Sequence, residues 1–406
     1  MNNQNGFGKW NSFILPMIII GIMFSVLGFA VGINAFFVPF VKAAFHISTA
    51  KSYLVTTATF SAFVLFGIPS GKILTKTGYK RSMFFAFILM ALGMLIIVPA
   101  AKWISFPIFL FALFINGMGQ TLLNTAVNPY ITILGPQNSA AKRISIMGTC
   151  NKLSFGLAPV VLAVFMDTAN VQLYDAILPF YVITGILIFL GILSYFAPLP
   201  EVKARGEDDN KDEKTSDSAN SKTSILQFPH LLLGALAIFF YVGVENIALV
   251  SINDYAIEIG LSSPEKFAVY TSVGYILGYL LGIILIPKMV SQTNAMKLNA
   301  ALGISSSLLI VLLPKGISIY FVAILGLANS LLWPAIWPLA LADLGKFTKR
   351  GSSIMVMGIA GGGLLPPLLG LLKDYFTSYQ QAYWMLLPIY LYFLFYATKG
   401  HKIRKT

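Results

Sequence analysis

Residues 145–165, SIMGTCNKLSFGLAPVVLAVF, would form an unbroken apolar helix if Lys152 were a leucine. A lysine or carboxylate near the centre of a bilayer costs roughly 2.5–3.5 kcal/mol on insertion scales, so such a residue faces protein or water. Lys152 lies nine residues beyond Arg143, about 14 Å at 1.5 Å per residue, close to mid-depth. One acid sits comparably deep in its own apolar run, Glu245, whereas Asp254, Glu258, Asp343 and Asp374 fall near the ends of theirs. Lys152 and Glu245 are therefore expected to neutralise each other across the two halves of the chain. The pair is a fixed bridge or a contact that forms and breaks, the remaining alternative being that the two never meet. Desolvation of a buried pair can exceed its Coulomb gain, which favours the second role.

Amides and indoles form two further constellations. Asn116, Gln120, Asn124 and Asn128 recur at steps of four. Each step drifts about 40° on a helix of 3.6 residues per turn, so they make one slanting polar stripe. An amide without a partner is costly in an apolar medium, so the stripe should face a wet cavity or bind neighbouring helices. Asn329, Trp333 and Trp337 repeat the same spacing, with the two indoles enclosed by Pro334 and Pro338. Trp10 and Trp103 flank apolar runs and fit an interfacial belt. Trp333 and Trp337 lie inside a run, where an indole face can pack on a ligand's C–H groups. The two prolines remove backbone hydrogen bonds and suit a helix that opens and closes.

The elements that carry these residues follow from composition. Of 406 residues, 57% are hydrophobic and 11% charged, against about 25% charged in an ordinary soluble domain. Runs of about 20 apolar residues cross a bilayer core of about 30 Å. Twelve are present, near 13–36, 52–70, 82–101, 106–133, 144–166, 177–197, 229–253, 267–287, 296–313, 317–341, 353–372 and 381–397. The chain is expected to be an all-α membrane protein with twelve transmembrane helices. The first run is too long for the apolar part of a signal peptide and is kept as a span. The net charge of +13 might suggest nucleic acid, but 21 basic residues fall on the side that carries both termini and six on the other. The positive-inside rule puts the 21-residue side in the cytoplasm, so the charge encodes topology and no nucleic-acid partner is expected. A single cysteine, Cys150, excludes an intrachain disulfide.

Residues 201–224, EVKARGEDDNKDEKTSDSANSKTS, are polar, of mixed charge and free of aromatics, a composition that stays disordered. They divide the chain into a six-helix half at 1–199, a cytoplasmic linker at 200–228 and a six-helix half with a short tail at 229–406. A repeat supports two halves. NPYITILGPQNSAAKRISIMG (128–148) and WPLALADLGKFTKRGSSIMVMG (337–358) share, in order, a helix-end proline, Leu-Gly, a basic pair and Ser-Ile-Met or near it.

GKILTKTGYKR (71–81) resembles the loop signature of the major facilitator superfamily, with Thr75 where an acid is usual. LLNTAVNPYITILGPQNSAAKRISIMGTCNKLSFGLAPVV resembles the matching segment of the fucose permease and glucose/galactose permease family. WPAIWPLALADLGKFTKRGSSIMVMGIAGGGLLPPLLG (333–370) and YVGVENIA (241–248) resemble its glucose/galactose branch. The resemblance covers nearly the whole chain apart from linker and tails. It implies the major facilitator fold, a neutral hexose as substrate and cation-coupled uptake. It also implies that spans five and seven, carrying Lys152 and Glu245, approach near an inter-half cavity. Fucose permeases carry acids for proton coupling at the positions of Ala35 and Asn124, so neither is present here. Glucose/galactose relatives tend to have a second acid in span seven, at the position of Val250, which leaves Glu245 alone.

On that resemblance Asn34, Gln120, Asn124, Asn128, Asn151 and Asn329 would bind sugar hydroxyls, with Trp333 or Trp337 on the ring face. Lys152 and Glu245 would be the coupling or switch pair. The basic pairs Lys80-Arg81, Lys142-Arg143 and Lys349-Arg350 would stabilise the outward-open state from the cytoplasmic side. The expected protein is a monomer of the cytoplasmic (inner) membrane, multi-pass, with both termini cytoplasmic and the lipid bilayer and a small sugar as partners. No cofactor is expected beyond Na⁺ or H⁺ as the coupling ion. Gly274, Gly278 and Gly282 read as a close-packing face. GIAGGG (358–363) lacks the Gly-Lys-[Ser/Thr] ending of a P-loop, so ATP drive is not expected. His46, His230 and His401 sit at or beyond span ends without metal-ligand spacing, and no enzyme is expected. Rival readings are a facilitative uniporter, an exporter of amphipathic compounds with a greasy cavity, and a sugar sensor that binds without transporting.

Overall fold

The computed structural model describes residues 5–47, 49–52, 54–165, 174, 177–204 and 222–403. The expectation of a disordered linker falls largely on 205–221, outside the described residues.

All regular structure among the described residues is helical. Among the described residues ten helices are long and apolar enough to cross a membrane, and twelve spans are recovered there once two features are resolved. The helix Gly67–Lys102 has 36 residues, about 54 Å if continuous, far beyond a bilayer core of about 30 Å. It is two helices joined at Gly78, whose φ of 76° and ψ of 175° break the helical run. Only glycine takes that conformation without a Cβ penalty, so the glycine of the GYKR loop is a geometric requirement. Span two thus comprises Leu54–Leu65 and the arm from Gly67 to Gly78, and span three runs from there to Lys102. Span twelve is short, Leu386–Thr398, and is lengthened by the turns Tyr379–Ala382 and Tyr383–Met385. The remaining spans are Ile14–Asn34 (one), Phe106–Ile133 (four), Ala140–Phe165 (five), Ile177–Phe196 (six), Pro229–Glu258 (seven), Glu265–Leu285 (eight) and Gln292–Leu312 (nine). Span ten is broken into Lys315–Ser330 and Leu332–Leu341, and span eleven into Thr348–Met357 and Gly361–Phe376.

Two compact units are present. The first holds Met1–Leu134 and Cys150–Val202, the second Gly135–Thr149 and Lys203–Thr406. The loop before span five and that helix's first turns therefore pack with the second unit. There the Ala141 amide donates to Gln292 Oε1 at 3.3 Å, and Ala141 packs with Ile286, Ala295 and Leu331.

In the first unit the aromatic core joins Phe37 to Phe109 and Phe180, at ring separations of 5.4 and 5.3 Å. Span one lies so close to span five that a Cβ on Gly28 would strike the Asn151 carbonyl. In the second unit the expected glycine face is found. A Cβ on Gly274 would lie 2.9 Å from the Leu327 nitrogen, and on Gly278 or Gly282 it would collide with Ser330 or Leu331. Span eight thus docks on span ten by small-residue packing. Span eleven bends at the 3-10 turn Gly358–Ala360, where Gly358 and Gly361 rest on the carbonyls of Ala235 and Phe239.

Candidate substrate and coupling residues

In the first unit the stripe on span four is a hydrogen-bonded amide ladder. Asn116 donates to the Met90 carbonyl of span three at 3.1 Å, and Gln120 donates to Asn116 Oδ1 at 2.7 Å. Asn124 donates to the Gln120 carbonyl at 3.0 Å. Asn128 donates to the Asn124 carbonyl at 3.0 Å and to Asn124 Oδ1 at 3.2 Å. All four are buried, Asn116 and Gln120 at 1% exposure and Asn124 at 8%. The upper half of the ladder is therefore interhelical and intrahelical glue, in keeping with the cost of an unpaired amide. The lower half differs, because Asn128 Oδ1 is buried with no hydrogen-bond partner among the described residues.

Asn34 accepts from the Thr59 hydroxyl at 3.2 Å, and Asn151 donates to the Phe24 carbonyl at 3.1 Å. These bonds tie span one to span two and to span five within the unit. Lys152, half-buried, places its ammonium 5.7 Å from the centre of the Phe155 ring, one turn along its own helix.

The second unit assembles an aromatic and carboxylate cluster. The Tyr241 hydroxyl donates to Glu245 Oε1 at 2.8 Å. The Tyr241 ring lies 5.5 Å from Trp333, and Trp333 lies 5.5 Å from Trp337. Tyr275 and Tyr279 of span eight, both fully or nearly fully buried, stand close enough to Glu245 to feel its charge, and Tyr279 lies within reach of the Tyr241 hydroxyl. Trp333 is half-buried, while Trp337 has no exposed surface and its indole N–H has no partner among the described residues. Of the two indoles, only Trp333 has a face to offer.

The break in span ten is braced. Pro334 cannot donate to the Ser330 carbonyl. Asn299 of span nine reaches across to the Leu327 carbonyl at 3.2 Å and to Ser330 Oγ at 3.3 Å. Tyr390 of span twelve donates to Asn329 Oδ1 at 2.7 Å. Asn329 is thus tied to span twelve on its acceptor side and is fully buried.

Of the six basic residues expected at the cytoplasmic loops, Arg143 is 3% exposed and donates to the Pro136 carbonyl at 2.9 Å and Ser139 Oγ at 2.8 Å. It folds the loop that precedes its own helix. Lys80, Lys142 and Lys349 are half-buried, and Arg81 and Arg350 are exposed.

Tyr241, Tyr275, Tyr279, Asn299 and Tyr390 were not anticipated. For Tyr241 the signal was present, since it stands four residues before Glu245 and i,i+4 side chains share a helix face. The others depend on which helices neighbour one another.

Twelve spans in two units, a loop at 71–81 turned at Gly78 and polar residues at mid-depth describe a transporter fold, and a family model decides it. Residues 18–367 match the Major Facilitator Superfamily. The chain belongs to the Major Facilitator Superfamily, a family of transporters rather than enzymes. It is 29% identical over 396 residues to a glucose/galactose transporter of Brucella abortus, covering 94% of this chain and 93% of the relative. It is 26% identical over 393 residues to the L-fucose-proton symporter of Escherichia coli, covering 90% and 89%. Among solved structures it matches FucP in the outward conformation with a TM-score of 0.82 and 22% identity, over 95% of this chain and 98% of that one. The major facilitator fold expected from the sequence is therefore the fold found.

Proposed function

We propose that this facilitator imports a neutral hexose of the glucose/galactose type by alternating access, coupled to a cation. The observation that carries the reading is the second unit's cluster, in which a half-buried indole face lies one ring contact and one hydrogen bond from a mid-depth carboxylate. Such a face suits the C–H surface of a sugar ring. The similarity to a glucose/galactose transporter over nearly the full chain supports the substrate class. In the first unit Asn34, Asn124, Asn128 and Asn151 serve as hydroxyl partners, with Gln120 holding Asn124 in place. In the second, Trp333 receives the ring, backed by Trp337, and Asn329 orients the broken helix.

A proton is the favoured coupling ion, because a relative is an L-fucose-proton symporter and Glu245 is the acid left at mid-depth. Lys152 and Glu245 act as the coupling residues, one in each unit. The basic pairs Lys80-Arg81, Lys142-Arg143 and Lys349-Arg350 stabilise the outward-open state. The protein works as a monomer in the cytoplasmic membrane, with both termini in the cytoplasm, as the distribution of 21 basic residues against six supports.

The test uses purified protein in liposomes. Labelled glucose uptake is followed under an inward H⁺ gradient, an inward Na⁺ gradient and neither, for the parent and Lys152→Met. Accumulation above equilibrium under the H⁺ gradient alone, lost in the variant while exchange persists, is the expected result. Equal downhill uptake in all three conditions would make the protein a uniporter. Absence of movement across a panel of sugars would sink the importer reading.

A further inference from the structure

We propose that Tyr241 is a positioning residue that ties occupancy of the Trp333 face to the cation state of Glu245; this rests on the symport reading above.

Three observations place it there. Its ring packs against Trp333 at 5.5 Å, with the planes inclined by 49°. Its hydroxyl donates to Glu245 Oε1 at 2.8 Å. It is 2% exposed, so the carboxylate and not bulk water takes its proton in hydrogen bonding. A hydrogen bond to an ionised carboxylate is roughly twice as strong as a neutral one, and that added strength lasts only while Glu245 is charged.

When Glu245 takes up a cation, the demand on Tyr241 reverses. A protonated carboxyl carries a donor of its own, and a phenol hydroxyl can turn from donor to acceptor. Tyr279 lies within reach of the same hydroxyl and offers the alternative partner. Tyr241 therefore has two arrangements, one for each state of Glu245. Two discrete arrangements biased from two sites are what coupling requires.

Trp333 supplies the second bias. Behind it stands Trp337, its ring 5.5 Å away at 57° and with no exposed surface. A close-packed interior does not absorb displacement there. A sugar pressing on the free face of Trp333 therefore displaces it along the side where Tyr241 lies. Occupancy and charge are joined by one phenol, and the ring and the hydroxyl of that phenol do separate work.

Tyr241→Phe isolates the hydroxyl, since it keeps the ring on Trp333 and deletes the bond to Glu245. The readout is gradient-driven accumulation against sugar counterflow in the same liposomes, a split that a purely structural role would not produce. Counterflow should stay near the parent's while the accumulation ratio falls by about tenfold or to equilibrium, on the scale of a lost hydrogen bond to a charged group. Unchanged accumulation, or equal loss of accumulation and counterflow in folded protein, would overturn the proposal. Should Tyr241→Phe not yield folded protein, Tyr279→Phe decides. Removing the alternative partner must also lower accumulation selectively, and a parent-like ratio overturns the proposal. Glu245→Gln is run alongside. If it accumulates sugar like the parent, the coupling role of Glu245 itself fails. If it uncouples and Tyr241→Phe does not, only the role of Tyr241 falls.

Discussion

Asn116 and Asn124 stand two turns apart on one stripe, yet the structure assigns them opposite consequences when each is changed to leucine. Asn116→Leu removes the acceptor of a 2.7 Å bond from Gln120, and one donor from the Met90 carbonyl. Gln120 is 1% exposed, so water cannot replace the lost partner. An orphaned buried donor costs about 1–3 kcal/mol, while double-mutant cycles between membrane helices average about 0.6 kcal/mol. A loss of about 1–2 kcal/mol is the expected compromise. At about 2–4 °C per kcal/mol for a unit of this size, the thermal midpoint of detergent-purified protein should fall by about 2–8 °C. The KM for sugar should not change. Asn124→Leu leaves Asn128 its bond to the Asn124 backbone carbonyl at 3.0 Å; it takes away the longer one at 3.2 Å and the side-chain bond to the Gln120 carbonyl, which keeps its helical partner, so the midpoint should hardly move. If Asn124 binds a sugar hydroxyl, the lost neutral hydrogen bond of about 0.5–1.5 kcal/mol raises KM by about 2- to 12-fold. Tryptophan-fluorescence melting and uptake kinetics on both variants decide the matter. A raised KM for Asn116→Leu, with the KM of Asn124→Leu unchanged, would refute the division of the ladder into a structural and a functional half.

Two further outcomes follow from the same geometry. Asn299→Ala withdraws the brace from the Leu327 carbonyl and Ser330; Ser330 Oγ still donates to that carbonyl at 2.7 Å, so the cost should be about 1 kcal/mol, read as a midpoint a few degrees lower and an altered maximal rate at unchanged KM. Gly78→Ala forces a Cβ into a backbone with φ of 76° and ψ of 175°, a strain of about 1–3 kcal/mol, and should lower thermal stability and yield even though nothing lies within 4 Å of the added atom.

The architecture was legible because hydropathy and span length are properties of contiguous sequence. Twelve apolar runs became twelve spans, and the glycines at 274, 278 and 282 pack as their spacing implied. The polar residues were only half legible. Spacing placed Asn116, Gln120, Asn124 and Asn128 on one stripe, but whether an amide spends its donor on its own helix is a matter of rotamer and neighbour. Trp333 and Trp337 look alike in sequence, each beside a proline. Only the packing of spans seven and ten leaves one half-buried and the other enclosed. Asn299 and Tyr390 gave no local signal, since both act on a break in a different helix.

The same contrast bears on which polar groups at mid-depth are free to work. An amide N–H spent on a backbone carbonyl, such as that of Asn116 on Met90 or Asn151 on Phe24, is committed to holding helices together, which leaves only the rest of such an amide for a sugar hydroxyl. Glu245 accepts instead from a side chain, Tyr241, whose hydroxyl can turn. An acid held by a reorientable donor can change its charge without leaving a backbone group unpaired, which keeps the cost of cycling low where an orphaned polar group is expensive. Ala35 in span one and Asn124 in span four carry no charge, so that adaptable environment falls to Glu245. It is therefore at span seven, rather than at spans one and four, that substitution should separate coupling from translocation.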